Sequence, residues 1–297
     1  MLIVGVIILS LQDSLIKYMA SETSFWQLQF IRSIGNIILL FLIAKLTNGI
    51  DILFPIKWKP VYLRALTMTT CMFCFFAASP KLSFAQMAAG LYTFPIFVSF
   101  LAVILLNERV GAWRLFALIL GSFGALLILE PWSKNFTYLQ FLPIMAGFFF
   151  ACNIILIRKY CREESVMSLT LAVGVMFFIS ALLGIFFFEL IFQNNFLKEI
   201  SPFVFIGWPS LTLIIFTFCF SCSILNIIGN ILLAKAYQTA ESSWLAPMDY
   251  SYLVFAAIWG KIFFGVWPTL LNLIGMFFIA FSGILIAFRE QRKSNSN

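Results

Sequence analysis

Long apolar segments recur along the chain from its start to its end, and short polar connections separate them. An α-helix needs about 18 or more apolar residues to cross ~30 Å of hydrocarbon. Segments of this length predict ten membrane-spanning helices, at residues 2–19, 26–46, 62–79, 84–106, 112–129, 138–157, 168–192, 211–234, 243–264 and 269–288. A membrane β-barrel would show short segments of alternating polarity instead. The pattern therefore predicts an all-α integral membrane protein.

The apolar segments divide into two similar halves. The stretch AAGLYTFP aligns with APMDYSYL, so that Tyr92 falls on Tyr250. Each half holds five predicted helices, and because five is odd, the second half crosses the membrane in the opposite sense. Inverted repeats of this kind are a common plan of secondary transporters, with the substrate site between the halves. We therefore predict two inverted five-helix repeats, at residues 1–130 and 131–297.

Composition and charge restrict the class of function. Hydrophobic residues make up 62% of the chain and charged residues 10%, whereas a soluble domain carries roughly 25% charged residues. Of the Lys and Arg residues, 13 fall on the side predicted to hold the C-terminus and 6 on the other side. The positive-inside bias then predicts a cytoplasmic (inner) membrane protein with both termini in the cytoplasm. The same bias explains the net charge of +7, so no nucleic-acid partner is expected.

The residue types that bind metals are few. The chain has no His, which removes imidazole metal ligands and imidazole proton carriers. Its six Cys include two C-x-x-C motifs, CMFC at 71–74 and CFSC at 219–222. A tetrathiolate metal site is one interpretation of these motifs, and small apolar side chains packed inside the spans are the other. The second is favoured because no other ligand type lies nearby, and neither a metal nor a cofactor is predicted.

The end of the first half resembles a known family. In the stretch PIFVSFLAVILLNERVGAWRLFALILGSFGALLILEP, residues 95–131, a Pro-bearing span leads to a loop acid, then to a basic residue and a Gly-containing final span. This order is similar to the end of the first EamA repeat of drug/metabolite transporters. The residues that carry the resemblance are Pro95, Glu108, Arg114, Gly121 and Gly124.

The end of the second half, residues 246–290, resembles the matching end of the second EamA repeat. One position departs from the pattern, because Val266 stands where that repeat usually carries an acidic residue before its Pro. The chain is most similar to the bacterial ten-helix branch that includes S-adenosylmethionine uptake carriers and amino-acid and riboflavin transporters. The resemblance implies a carrier of a small metabolite.

Polar side chains inside the predicted spans mark the candidate site. A charged residue at a helix centre costs about 2.5–3.5 kcal/mol on insertion, and those that remain usually face the bundle interior. The predicted substrate-binding residues are Asp13, Gln29, Arg32, Tyr92, Asn153, Asn226, Asn230, Asp249 and Tyr250.

Asp13 lies near the centre of the first span, and its repeat counterpart Asn153 is polar but uncharged. We expect Asp13 to face the cavity, with Arg32 or a cationic group of the solute as its partner. A buried Asp13–Arg32 pair that only fixes helix packing is the alternative. For Asn226 and Asn230, which share one helix face, interhelical hydrogen bonding and cavity lining both stay open.

These observations predict a secondary transporter that moves a small polar or zwitterionic metabolite, amino-acid-like or S-adenosylmethionine-like, by alternating access. Its partners are the metabolite and the lipid bilayer, and it is a monomer or a homodimer. An integral-membrane lipid or prenyl transferase is the alternative. That chemistry needs clustered acids or a positioned base and nucleophile, and the paired acids here are Glu163 and Glu164 in a loop. The chain is therefore predicted not to be an enzyme.

Overall fold

The computed structural model describes residues 1–47, 49–106, 112–130, 132–133, 137–191, 198, 202–239 and 248–294. Within these residues the chain is helical and contains no strand. The main helices are α1 Leu2–Met19, α2 Phe25–Leu46, α3 Trp58–Ala77, α4 Phe84–Leu91, α5 Phe94–Leu106, α6 Ala112–Leu129, α7 Phe141–Tyr160, α8 Val166–Phe186, α9 Leu213–Thr239, α10 Ser251–Phe264 and α11 Leu270–Ser294. Short helical turns occur at Ile50–Leu53, Tyr138–Gln140, Phe187–Ile191 and Pro202–Phe205. Glu108 of the family pattern lies outside the described residues.

Helix length and composition confirm a multi-pass membrane protein. Seven helical segments are long and apolar enough to cross a membrane, counting α4 and α5 as one. Three further helices in the described chain are also apolar but shorter, at Leu115–Leu129, Ser251–Phe264 and Leu270–Leu285. The all-helical membrane class is thereby confirmed, whereas the number of ten spans remains a prediction.

The fourth predicted span, 84–106, is two helices rather than one. α4 ends at Leu91 and α5 begins at Phe94, with Tyr92 and Thr93 between them. Pro95 explains the break, because a proline inside a helix removes one N–H and its ring clashes with the carbonyl of residue i−4. The break leaves Tyr92 between the two helices, where it lines a cavity that is described in the next section.

Helices of the first half pack chiefly on helices of the second half. α1 contacts α9 and α10, α2 contacts α8 and α9, and α3 contacts α7 and α8. α4 contacts α7 and α10, and α6 contacts α11. The polar residues of both halves are thereby brought to the centre of one bundle.

Glycine permits the close crossing of α6 and α11. A Cβ added to Gly124 would lie 2.7 Å from the main-chain oxygen of Gly275, and a Cβ on Gly275 would lie 2.7 Å from the oxygen of Gly124. Small residues at such crossings let membrane helices approach backbone to backbone. The Gly of the family pattern therefore has a packing role here.

Candidate functional site

A cavity of about 230 Å³ lies in the centre of the bundle between α1, α2, α3, α8 and α9. Its polar lining comes from both halves of the chain and includes Gln12, Asp13, Arg32, Asn36, Arg64, Tyr92, Thr170, Asn226, Asn230, Asp249 and Tyr252. Apolar and aromatic side chains complete the wall. An apolar cavity with a few convergent polar groups is the usual form of a small-molecule site.

Six of the nine predicted residues line this cavity: Asp13, Arg32, Tyr92, Asn226, Asn230 and Asp249. The other three are buried elsewhere. Gln29 and Asn153 are 0% and 3% exposed and do not line the cavity, and neither does Tyr250. A polar residue within an apolar stretch of sequence is expected to face protein. The sequence does not show whether it faces the cavity or another packed helix.

The carboxylate of Asp13 is held by two donors. Tyr252 donates its hydroxyl to Oδ2 at 2.6 Å, and Gln12 donates Nε2 to Oδ1 at 2.9 Å. In the described part of the chain no ion pair joins Asp13 to Arg32. Arg32 therefore makes no direct bond to Asp13 but is electrostatically attracted to it, and the expectation that Arg32 or a cationic group of the solute is its partner stays a prediction. The direct protein donor is a tyrosine from the other half of the chain.

Arg32 enters the cavity from α2 with its side chain almost fully buried. Its guanidinium carbon lies 5.2 Å from the ring centroid of Phe177 on α8, in cation–π contact. Among the described residues no acceptor bonds to its Nε or Nη1. The hydroxyl of Ser223 donates to the main-chain oxygen of Arg32 at 3.0 Å and fixes α2 against α9.

Arg64 is a cavity residue that the sequence analysis missed. It was assigned to the charges on the cytoplasmic side, but it lies in α3 and lines the cavity. Its Nη1 donates to the main-chain oxygen of Leu169 at 2.9 Å. The signal was available, because Arg64 already fell inside the predicted span 62–79.

The two asparagines of α9 serve both interpretations that the sequence left open. Asn226 and Asn230 line the cavity. Asn230 also donates Nδ2 to the main-chain oxygen of Asn226 at 2.8 Å, and Asn36 of α2 donates to Asn226 Oδ1 at 3.4 Å. Asn226 therefore connects α2 with α9 and also lines the cavity, whereas the bond of Asn230 lies within α9.

Three tyrosine rings lie together where α4 ends and α10 begins. Tyr92 donates its hydroxyl to the main-chain oxygen of Asp249 at 3.1 Å, and its ring stacks on that of Tyr252 with centroids 5.2 Å apart. The ring of Tyr250 lies 5.5 Å from that of Tyr92 on the side away from the cavity, against Gly283. The two tyrosines that the sequence alignment pairs are thus neighbours with different surroundings. The sequence analysis missed Tyr252 as a site residue. Tyr250 and Tyr252 are two positions apart, and the sequence does not indicate which of the two faces the cavity.

Along the axis of the bundle, the cavity lies nearer to one end than to the other. Its lining on α8 runs from Thr170 to Phe177, in the part nearer the start of that helix. The start of α1 adjoins the end of α9, since a Cβ on Gly5 would lie 3.1 Å from the oxygen of Gly229. The cavity is therefore displaced toward the end of the bundle that holds the N-terminus.

At the opposite end Lys17 connects three elements, and it also lines two pockets of about 360 and 530 Å³. Its ammonium donates to the main-chain oxygens of Ser79 and Leu82, the latter at 2.7 Å. It also lies 5.2 Å from the ring centroid of Phe264 at the end of α10. One half-buried cation thereby connects α1, the α3–α4 connection and α10.

The cysteines give no metal centre in the part of the chain that the structure describes. All six Cys are free thiols. No group of three or more Cys, Asp or Glu side chains there is placed to hold a metal ion. The tetrathiolate interpretation of the two C-x-x-C motifs is therefore not supported.

Comparison with known proteins relates this bundle to bacterial transporters. Residues 1–130 match the EamA-like transporter family. A riboflavin transporter of Vibrio cholerae is 26% identical over 70% of this chain and 64% of that protein. An S-adenosylmethionine uptake transporter of Rickettsia bellii is 25% identical over 68% of this chain and 62% of that protein. Less than two thirds of either relative is therefore covered.

Two further matches extend along nearly the whole chain. An uncharacterized transporter of Helicobacter pylori is 25% identical over 97% of this chain and 93% of that protein. A protein of known crystal structure superimposes with a TM-score of 0.53 over 97% of this chain and 95% of its own, at 14% identity, which relates the folds alone. The resemblance to EamA-type drug/metabolite transporters is thereby confirmed, with an EamA-like transporter segment over residues 1–130.

Proposed function

We propose that this protein is a secondary transporter that carries a small polar or zwitterionic metabolite across the cytoplasmic membrane by alternating access. The observation that carries the proposal is one central cavity that presents both an acid, Asp13, and a guanidinium, Arg32, within an apolar wall. Charged groups inside a membrane bundle usually mark the path of a solute or ion. The transporter names of the relatives agree with this function.

The cavity volume favours a small solute. Ligand pockets for drug-sized molecules typically measure about 300–1,000 Å³, and this cavity measures about 230 Å³. An amino-acid-like zwitterion would place its ammonium group at Asp13 and its carboxylate at Arg32. Each oxygen of Asp13 accepts one protein donor, and a carboxylate oxygen has a second lone pair for such an ammonium group.

Two inverted five-helix repeats, 1–130 and 131–297, form part of the proposal. If the first and sixth spans correspond, and so on along the two halves, three contacts between the halves have counterparts. α1 on α9 corresponds to α7 on α3, α1 on α10 to α7 on α4, and α2 on α9 to α8 on α3. This exchange symmetry supports a pseudo-twofold relation between the halves.

Alternating access is supported by the unequal ends of the bundle. The central cavity extends toward the end with the N-terminus, whereas at the other end Lys17 binds main-chain oxygens and connects α1, the α3–α4 connection and α10. If the termini are cytoplasmic, this is an inward-facing arrangement. Rocking of one repeat against the other would open the Lys17 end and close the end near Arg64.

Flux through purified protein tests the function. The protein in proteoliposomes is expected to take up labelled solutes from a panel of amino acids, S-adenosylmethionine, nucleosides and vitamins, and to release them chemically unchanged. Protein-free vesicles serve as the control. Chemical conversion of a lipid or prenyl substrate without any flux would favour the enzyme instead. Against it, Glu164 accepts the main-chain N–H groups of Ile56 and Lys57 at 3.0 and 2.7 Å, so this acid holds two connections together.

Membrane topology gives a separate prediction. A C-terminal alkaline phosphatase fusion is expected to be inactive and a C-terminal fluorescent-protein fusion to be fluorescent, because the 13-to-6 charge bias retains both termini in the cytoplasm. A fusion placed in the connection after α1, near Glu22, is the matched control and should show the reverse. Phosphatase activity at the C-terminus would contradict this orientation.

The two tyrosines should respond differently to loss of the hydroxyl. Tyr92→Phe removes a cavity hydroxyl, and we expect the solute KM to rise by up to about tenfold, as for a lost hydrogen bond of ~0.5–1.5 kcal/mol. Tyr250→Phe should leave the KM unchanged because its ring faces Gly283 instead. Equal KM increases in both variants would contradict the assignment of the cavity wall. Chromatographic monodispersity establishes that both variants fold.

A further inference from the structure

The two arginines of the cavity have unused donors. Nε and Nη1 of Arg32 and Nε of Arg64 are buried, and within the described chain no acceptor bonds to them. Asp13, by contrast, has a protein donor on each of its oxygens. The cavity is therefore short of acceptors for its cations, although it holds an acid.

A buried guanidinium without hydrogen-bond acceptors is unfavourable, and arginine side chains stay protonated in proteins, so the charge is not relieved by losing the proton. The planar fork of guanidinium donors matches the two oxygens of a carboxylate and forms two parallel, charge-assisted hydrogen bonds with it. Asp249 supplies cavity acidity but makes no ion pair with either arginine in the part of the chain that is described. The described side chains thus supply no hydrogen-bond acceptor to these donors, and a carboxylate of a bound solute would supply one.

The two arginines lie at different depths. Arg32 stacks on Phe177, and Arg64 bonds to the carbonyl of Leu169. These α8 residues are eight positions apart, which is about 12 Å along a helix. The two side chains therefore contact α8 about two turns apart, which favours two successive positions along the cavity over one clamp. Arg32 is the deeper position and is only 2% exposed.

We propose that Arg32 is the carboxylate-binding residue of the transport site and that Arg64 is a second carboxylate position between Arg32 and the end of the bundle near the start of α3. This assignment rests on the proposed function, and it requires the transported solute to carry a carboxylate. A lipid headgroup is not the source of the anion at Arg32, because that side chain is buried in the middle of the bundle. Solutes without an anionic group leave Arg32 unpaired and bind weakly.

Pairs of solutes that differ only in the carboxylate give the test. Binding of labelled L-amino acids and S-adenosylmethionine to the purified full-length protein in nanodiscs is competed with each unlabelled acid and with its carboxamide. The wild-type protein is expected to prefer the acid at least about tenfold, the effect of a charge-assisted hydrogen bond. This comparison needs no variant, so it does not depend on the folding of a mutant.

Variants then assign the preference to a residue. Arg32→Gln is expected to reduce the acid-to-amide preference to about one, and Arg32→Lys to retain part of it because the charge stays but the fork is lost. Arg64→Gln is expected to lower the association rate of the acid more than its equilibrium preference. Arg162→Gln, at an exposed arginine between α7 and α8, is the matched control and should behave as wild type.

The outcomes separate this inference from the proposed function. Equal competition by acid and amide in the wild type would overturn the inference, and so would an acid preference that survives Arg32→Gln. Flux in proteoliposomes without acid preference would leave the transporter standing and remove the carboxylate site. Arg32-dependent acid binding without any flux would retain the site and remove the transporter.

Discussion

Replacing Asp13 with Asn is expected to leave the protein folded and to raise the KM for a zwitterionic solute by about 10–150-fold. The estimate corresponds to the loss of a hydrogen bond to a charged group, ~1.5–3 kcal/mol. Asn keeps the shape of Asp and can still accept the hydroxyl of Tyr252, so the contact between α1 and α10 survives. Because Asp13 makes no direct ion pair with Arg32 among the described residues, the substitution removes only a through-space attraction to that guanidinium.

Asp13→Ala separates the structural contribution of this side chain from its charge. Alanine leaves the Tyr252 hydroxyl and the Gln12 amide without their acceptor, at about 1–3 kcal/mol for each buried group. We therefore expect a lower thermal midpoint in Asp13→Ala and an unchanged one in Asp13→Asn. Asp51→Asn, at an exposed acid of a short helical turn, is the control for both measurements.

Proteoliposome flux and heating followed by size-exclusion chromatography are the two readouts. If Asp13→Asn transported with wild-type kinetics, Asp13 would have no role in solute binding. If Asp13→Asn were as unstable as Asp13→Ala, the charge itself would be part of the packing. The prediction requires the two variants to differ in stability and to share the transport defect.

Substituting Gly184 with Ala is expected to cause a large loss of folded protein. A Cβ on Gly184 would lie 2.2 Å from two ring atoms of Trp26, which is closer than side-chain atoms approach in real structures. The Trp26 ring has no space into which to move, because it is stacked between Phe73 and Phe188 with centroid distances of 5.5 and 5.7 Å. Its indole N–H also donates to the main-chain oxygen of Val204 at 2.8 Å.

Overpacking of a filled core costs about 1–3 kcal/mol of stability and occasionally more. Because the Trp26 ring is held on both faces, we expect Gly184→Ala to cost an amount at the upper end of that range. Gly174→Ala on the same helix is the matched control, since its nearest atom would be Ile37 Cγ1 at 3.5 Å, an ordinary contact. At this position alanine should be neutral or slightly stabilising, because alanine is favoured over glycine inside a helix by about 0.5–1 kcal/mol. Yields and thermal midpoints in detergent measure both.

A second-site change gives the converse test. In a Trp26→Leu background the space next to Gly184 is partly emptied, so the added methyl group of Gly184→Ala should cost much less. An equal cost in both backgrounds would show that the Trp26 ring is not what limits residue 184. This outcome would place the constraint on the helix backbone instead.

Much of the fold follows from local properties of the sequence. The first predicted span, 2–19, agrees with α1 at Leu2–Met19, because the length of an apolar run directly reports the helix that it forms. The broken span after Leu91 was not predicted, although Pro95 gave a signal for it. A proline inside an apolar run permits either a kink or a break, and packing against the other half decides between them.

The candidate site was predicted in kind but not in detail. The cost of burying polar groups selects Asp13, Arg32 and the α9 asparagines from the sequence without any structure. The same argument also selects Gln29 and Asn153, which are buried away from the cavity. Cost inside a membrane indicates that a polar side chain faces protein, but not which interior surface it faces.

The sequence by itself determined the helical membrane class, the approximate spans, the EamA resemblance and a short list of functional side chains, because each depends on hydrophobic length, charge or local residue order. Only the tertiary structure decided how those side chains are paired. Asp13 bonds to a tyrosine 239 residues away rather than to the arginine of the adjacent helix, and Arg64 turns inward from a position assigned to the surface. Such pairings depend on the rotation of each helix about its axis, and that rotation is set when the two halves pack together.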